Sequence, residues 1–306
     1  MKKNVWVFGG TGFIGAHITK QLAQDPDNRV ILSIHKSLPN QQLENVITLQ
    51  KELIDITIQD FEKFTPIKIF HLARFGASTP LFRLFRSNRG AKTNQKLIER
   101  LNQLDKFPTI NYVSGSLMYG AQKEPATEFT KLNPVGFAKA YIDGETPFLK
   151  AKSNNINIHF HRPGWILGPS SWFKVFFWSY YLREGKIPYY GTGEQLMSII
   201  SVEDCARLII QASDSLASNQ DQNIYSYKPI TQKNFALKVA DTLSCDTKQI
   251  SFDSVKKEYD WQTAEALTTS IPLSTRNSDV LKAFTPKFQS LETLIDKVIS
   301  ELKDLD

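Results

Sequence analysis

Cysteine is scarce, with only Cys205 and Cys245 among 306 residues. Two are too few for a disulfide scaffold and point to a reducing compartment. No stretch approaches the ~20 consecutive apolar residues that span a bilayer. Lys2 and Lys3 precede an apolar run as in a signal peptide, but glycines break that run after Phe8. There is no internal repeat or low-complexity tract, and no Gly-x-Ser-x-Gly elbow or Cys/His nucleophile set. The five histidines (17, 35, 71, 159, 161) lack metal-ligand spacing beyond His159-x-His161 on one strand face, which argues against zinc. Charge of one sign is also in short supply. The 37 basic and 31 acidic residues leave +6 spread along the chain, which argues against a nucleic-acid or membrane partner.

What is present is globular: 41% hydrophobic and 22% charged residues. At about 150 residues per domain the length allows two domains or one large one. A chain of this size removes roughly three-quarters of its unfolded surface from water, so it needs no metal or disulfide to hold a core. The expectation is a soluble, cytoplasmic protein.

The first residues carry the strongest pattern. Asn4 to Phe8 is a short β-forming run, followed by Gly9, Gly10, Thr11, Gly12, Phe13, Ile14 and Gly15, and then by helical spacing through Ile18 and Leu22. Strand, glycine turn and helix together place free helix N–H groups against a pyrophosphate. Gly9 makes the tight turn, Gly12 lets backbone approach phosphate, and Gly15 lets helix pack on strand. Further strands are expected at Val30–Ile34, Val46–Leu49, Ile67–Ala73, Thr109–Ser114 and Ile156–His161, the last closed by Arg162-Pro163-Gly164. A helical face of Leu97, Ile98, Leu101 and Leu104 lies between two of them. This alternation predicts an α/β fold, a doubly wound parallel sheet.

On these residues the chain resembles the extended short-chain dehydrogenase/reductase family, the NAD-dependent epimerase/dehydratase group. The matching segments are FGGTGFIG, FHLAR, YVSGSLMYG, NPVGFAKAYIDGE, HRPGWILGP, YYGTGEQLMSIISVEDCA with its Val202-x-Asp204 signature, and TPKFQSLETLIDKVI, in that order. The resemblance implies a Rossmann NAD(P)-binding domain from residues 1–165 plus about 202–230. It implies a smaller substrate-binding domain from 166–201 and 231–306, a ligand site between the two, and a helix-paired homodimer. The cofactor contour it implies runs through Gly9, Gly12, Phe13, Ile14, Gly15, His35, Lys36, Glu52, Leu53, Leu72, Ala73, Arg74, Lys139 and Pro163.

NAD binding calls for a carboxylate about 20 residues past the glycines. Here the chain reads Ser33, Ile34, His35, Lys36, Ser37, with no acid. Lys36 suits a 2′-phosphate, so NADP is the expected cofactor and NAD the alternative; a solvated loop at His35 and Lys36 is the bland reading. Glu52 falls where the family often reads the adenine. Arg74, after the fourth strand, is open between facing the pyrophosphate and a surface ion pair.

In the family a tyrosine four residues before a lysine exchanges the proton, and a serine fixes the substrate oxygen. Here the lysine is Lys139, the tyrosine position holds Val135, and the serine position holds Gly115 between Ser114 and Ser116. Valine has no proton to give. Tyr141 lies roughly 200° round the helix from Lys139 and faces away. Catalysis, if present, therefore falls to Lys139 with Ser116 or Ser114. Tyr119 is structural in the family.

The presumed substrate region is aromatic: Trp165, Trp172, Phe173, Phe176 and Phe177 are the expected substrate wall, with Trp178, Tyr180, Tyr181, Tyr189 and Tyr190 nearby. The same stripe also reads as a packed helix core. Gln195 to Ser198 lacks the arginine that grips substrate phosphate in the family, which points away from a UDP- or GDP-sugar. Arg83, Arg86 and Arg89 read as a solvated helix face, and His71 as a core strand residue. Two functions stay open: an enzyme of altered mechanism acting on a rather apolar or aromatic small molecule, and a catalytically silent dinucleotide-binding protein. A non-redox enzyme on the same fold lies between them.

Overall fold

The computed structural model describes residues 2–34, 43–74, 80–154 and 156–305, with residues 80–86 and 140 described by their backbone alone. The chain forms two compact units. The first comprises Met1–Ser114, Lys139–Arg162 and Ala206–Gln222; the second comprises Gly115–Ala138, Pro163–Cys205 and Asn223–Asp306. Residues 115–138, assigned to the first domain in the sequence-based division, group with the second unit.

The first unit alternates strand and helix. Its elements are β1 (Lys3–Phe8), α1 (Phe13–Gln24), β2 (Asn28–Ile34), β3 (Val46–Gln50), α2 (Ile58–Phe64), β4 (Lys68–His71), α3 (Pro80–Leu101), β5 (Thr109–Val113), α4 (Gly136–Ser153, which begins in the second unit) and β6 (Ile158–Pro163). The sheet order is the strand Gln222–Ile224, then β6, β5, β4, β1, β2, β3. The pairs from β6 through to β3 are all parallel. The order reverses between β1 and β4, so a crevice opens at the carboxyl ends of these two strands, the usual ligand position in such sheets. Continuous burial along β1 and β2, with Trp6, Val7, Val30, Ile31 and Leu32 fully or nearly fully inside, is what a sheet covered on both faces requires. Trp6 packs on Phe61 of α2 at 4.7 Å, and Leu97, Ile98 and Leu101 of α3 close the same core.

The edge strand Gln222–Ile224 has no counterpart among the strands expected from the sequence, and β6 runs on through Arg162 and Pro163, where the sequence predicts its stop. Proline supplies no N–H at this position, and the next one, of Gly164, donates to Ile224 O at 3.0 Å.

The second unit has its own core, built around Phe173, Phe177, Trp178, Phe235 and the helix Leu291–Lys303. That helix is capped by Ser290, and it buries Leu291, Leu294, Ile295, Val298, Ile299 and Leu302 along one stripe. Asp204, fully buried, accepts the backbone N–H of Lys287 at 3.0 Å through Oδ1, tying the Val-x-Asp segment to the chain entering that helix. Both cysteines are free thiols. Among the described residues no helix is long and apolar enough to cross a membrane.

Candidate functional site

The glycine turn closes β1 and opens α1. Gly9 adopts φ +77°, and a Cβ there would sit 2.7 Å from the backbone N of Ala73, so the turns after β1 and β4 touch. A Cβ on Gly15 would fall 2.1 Å from the carbonyl oxygen of Gly9, which holds helix against turn. Gly12 caps α1, donates its N–H to Gly9 O at 3.0 Å and receives no side-chain cap. A Cβ on Gly12 would meet only Gly9 O, at 3.2 Å, so the outer side of the turn is open. The first-turn amides of α1, from Phe13, Ile14 and Gly15, lack intrahelical acceptors. An open, uncapped, glycine-built helix start of this kind fits a dinucleotide diphosphate.

The walls of the crevice are mixed. Leu72 donates its N–H to Phe8 O at 2.8 Å and is half-buried like Ala73. Leu53 is buried in the core. Glu52 accepts Arg89 Nη2 at 3.1 Å. His35 and Lys36, the proposed 2′-phosphate contacts, lie outside the described residues, as do the side chains of Arg83 and Arg86. Arg74 is exposed after β4. Its Nη2 donates to the backbone oxygen of Ser114, and its guanidinium lies 5.6 Å from the Tyr141 ring.

Ser114 closes β5 beside a buried ion pair. Its hydroxyl donates to Glu145 Oε1 and accepts Arg162 Nη1 at 2.6 Å, while Arg162 Nη2 reaches Glu145 Oε2 at 3.1 Å. The Arg162 and Glu145 side chains are 4% and 3% exposed. A hydroxyl has one proton, and here it is committed to a carboxylate. Ser114 is therefore a member of a buried network.

At the chemical end, Gly115 starts the short turn Ser116–Tyr119, and Tyr119 is buried with its hydroxyl donating to Asn223 Oδ1 at 2.7 Å, a structural tyrosine. Val135 is buried just ahead of α4 and donates its N–H to Leu117 O at 3.3 Å. Lys139 is exposed in the first turn of α4.

The second unit contains a half-open cavity of about 230 Å³ lined by Ser116, Leu117, Phe137, Gly164, Trp165, Trp172, Phe176, Thr263, Ala266 and Leu267. Three of the five expected aromatic residues line it. Phe173 and Phe177 do not: they stack at 5.8 Å inside the core against Phe235 and are 1% and 0% exposed. Residues Lys174–Trp178 form a π-turn, so the three-and-four spacing of an ordinary helix fails to put Phe173, Phe176 and Phe177 on one face. Leu117, Phe137, Thr263, Ala266 and Leu267 escaped the sequence reading because no local pattern marks them. Pro163, buried at the end of β6, precedes Gly164, whose absent Cβ leaves room for Ser198 O at 2.2 Å.

Among the described residues no three histidine, cysteine or carboxylate side chains gather as a metal site. His71 is buried, with Nε2 3.0 Å from Asn94 Oδ1, and burial pulls its pKa down to about 4. It is a neutral core residue at physiological pH.

The family model for the NAD dependent epimerase/dehydratase family matches residues 5–226. Epimerase family protein YfhF of Bacillus subtilis (strain 168) is 27% identical over 251 residues, 78% of each chain. UDP-N-acetylglucosamine 4-epimerase of Methanobrevibacter ruminantium M1, solved with UDP-N-acetylmuramic acid, superposes with a TM-score of 0.79 at 22% identity over 100% of both chains. Human epimerase family protein SDR39U1 (isoform 2), solved with NADPH, superposes with a TM-score of 0.75 at 18% identity over 98% of this chain and 100% of its own. At these identities the two structures share the fold.

Proposed function

The chain belongs to the NAD dependent epimerase/dehydratase family, and we propose that it binds NADP, with NAD the alternative, and converts a rather apolar small molecule without the family's tyrosine. The observation that carries this reading is the open glycine turn, which fits a diphosphate, on a chain whose tyrosine position is the aliphatic Val135. When bound, the dinucleotide supplies a nicotinamide that gives or accepts hydride. The chain's own residues do the rest. Amides of the Gly9–Gly15 turn hold the diphosphate, and Lys139, exposed on α4, holds the ribose. The lack of an acid after β2 and the Lys36 charge favour a 2′-phosphate. Because Val135 cannot exchange a proton, the oxygen of the substrate is held by another hydroxyl, that of Ser116. General acid–base catalysis is typically worth ~100- to 10,000-fold, so this rearrangement predicts slow turnover.

A second reading, a silent dinucleotide-binding protein, is favoured by one observation: the Ser114 hydroxyl is already committed to Glu145 and Arg162. The two separate on one experiment. Purified protein is analysed for retained nucleotide by native mass spectrometry, and nicotinamide absorbance is followed with candidate apolar ketones in wild type and Lys139→Ala. Turnover that vanishes in Lys139→Ala supports the enzyme. Tight binding without turnover supports the silent protein, and failure of either cofactor to bind at millimolar concentration refutes both.

A further inference from the structure

The geometry points to a neutral, mainly hydrocarbon ligand of about bicyclic size, carrying one carbonyl or hydroxyl oxygen, seated in the cavity of the second unit with that oxygen on Ser116. This deepens the proposed function by naming its substrate class. Of the ten lining residues none is charged, and only Ser116 and Thr263 present a side-chain hydroxyl. Ser116 is 6% exposed and lines the cavity, and its hydroxyl makes no hydrogen bond among the described residues. A hydroxyl in a cavity wall that is not engaged within the chain is available to an acceptor on a ligand. Glu265, next in sequence to the lining residue Ala266, is not itself in the lining, and its carboxylate accepts the N–H of Gly136 at 2.5 Å. A phosphate or sugar ring entering here would surrender its hydration to walls whose polar groups are the Ser116 and Thr263 hydroxyls and the Trp172 Nε1–H, the last buried without a partner among the described residues.

Size narrows the class further. An apolar cavity of ~150 Å³ holds one benzene, so about 230 Å³ takes a fused bicycle with little to spare. The walls are fixed: Trp165 and Trp172 meet edge-on at 4.8 Å, and the carbonyl of Leu117 is held by the N–H of Val135 at 3.3 Å. A preformed pocket of this kind selects by shape as well as polarity.

The probes are 1-indanone, indane and 1-indanecarboxylate, titrated calorimetrically into the full-length protein, with NADPH titrated in parallel. Indanone should bind and the carboxylate should not. Ser116→Ala should weaken indanone about tenfold, the worth of one buried hydrogen bond, and leave indane unchanged. Ala266→Phe, which fills the cavity, should abolish both; circular dichroism checks its fold, and Thr263→Val, which keeps the volume, should retain indane. Carboxylate binding equal to indanone, or indifference of indanone to Ser116→Ala, overturns the inference. NADPH binding without indanone binding overturns it alone, whereas indanone binding without NADPH binding overturns the dinucleotide reading and leaves this one standing.

Discussion

Acidification should destabilise the first unit through His71, and the size of the effect follows from the atoms around it. Asn94 donates Nδ2 to Gly144 O at 2.8 Å, so its Oδ1 is the atom facing His71 at 3.0 Å. His71 must therefore carry its proton on Nε2, leaving Nδ1 bare, and Nδ1 is buried with no partner among the described residues. Phe8, Tyr112 and Phe148 enclose the ring at 5.8, 5.1 and 5.2 Å. A second proton would place a charge inside a pocket walled by aromatic rings and closed to water. Burial accordingly lowers the pKa from 6.5 to about 4, the bond to Asn94 and a backbone hydrogen bond of His71 itself opposing only in part.

The folded pKa lies below the unfolded one, so between about pH 6.5 and 4 the unfolded chain binds more protons and stability falls as pH falls. At pH 5 the unfolded ring is almost fully charged and the folded ring almost neutral, which removes about 2 kcal/mol relative to pH 7; the loss levels at about 3 kcal/mol below pH 4. His159 and His161 are also lowered by burial and add slopes of the same sign. Comparing wild type with His71→Gln by urea denaturation at pH 7 and pH 5 isolates the single ring. The variant should lose about 2 kcal/mol less over that interval. Equal pH dependence in the two proteins, or an NMR titration of His71 near its ordinary value, refutes the reasoning.

Four further outcomes follow from the same atoms. Glu145→Gln strands the buried Arg162 charge and should cost about 3–5 kcal/mol, read as a lowered melting temperature, with the double variant Glu145→Gln/Arg162→Met recovering part of it. Gly15→Ala drives a Cβ to 2.1 Å from Gly9 O; it should cost about 1–3 kcal/mol and abolish NADPH binding by calorimetry. Phe177→Ala empties a core position and should cost about 3–5 kcal/mol, whereas Phe176→Ala should change ligand affinity more than stability in parallel melts and titrations. Lys139→Ala, at an exposed position, should leave the melting temperature unchanged while removing NADPH-linked turnover.

The parts of this chain that were legible in the sequence are those set by local spacing. The glycine turn needs nothing beyond residues 8–15, and the strand–helix alternation needs only the hydrophobic period, so both appear where they were expected. The aromatic stripe was half legible. Its composition marked a packed region, but separating Trp165, Trp172 and Phe176 in the cavity from Phe173 and Phe177 in the core required the π-turn, a backbone choice that residue spacing does not announce. The network around Ser114 was illegible for a different reason. Its partners lie 31 and 48 residues away, and only the parallel order of β5 and β6, with α4 between, brings Glu145 and Arg162 to one hydroxyl.

The proposed function gains physical content from the same contrast. It leaves Ser114 and Ser116, on either side of Gly115, as the two candidate hydroxyls for a substrate oxygen, and sequence offers no ground for choosing between them. The network chooses. Ser114 spends its donor on Glu145 and its lone pair on Arg162, whereas Ser116 keeps both in a cavity wall whose other polar groups are the Thr263 hydroxyl and the Trp172 Nε1–H. Exchanging the two environments would exchange the roles. Glu145→Leu with Arg162→Met should free the Ser114 hydroxyl without creating a second binding site, because Ser114 would then face filled core and not a cavity. Calorimetry with 1-indanone should accordingly give unchanged stoichiometry and affinity in that double variant, and a gain of binding there would mean that the pocket chemistry had been assigned to the wrong serine.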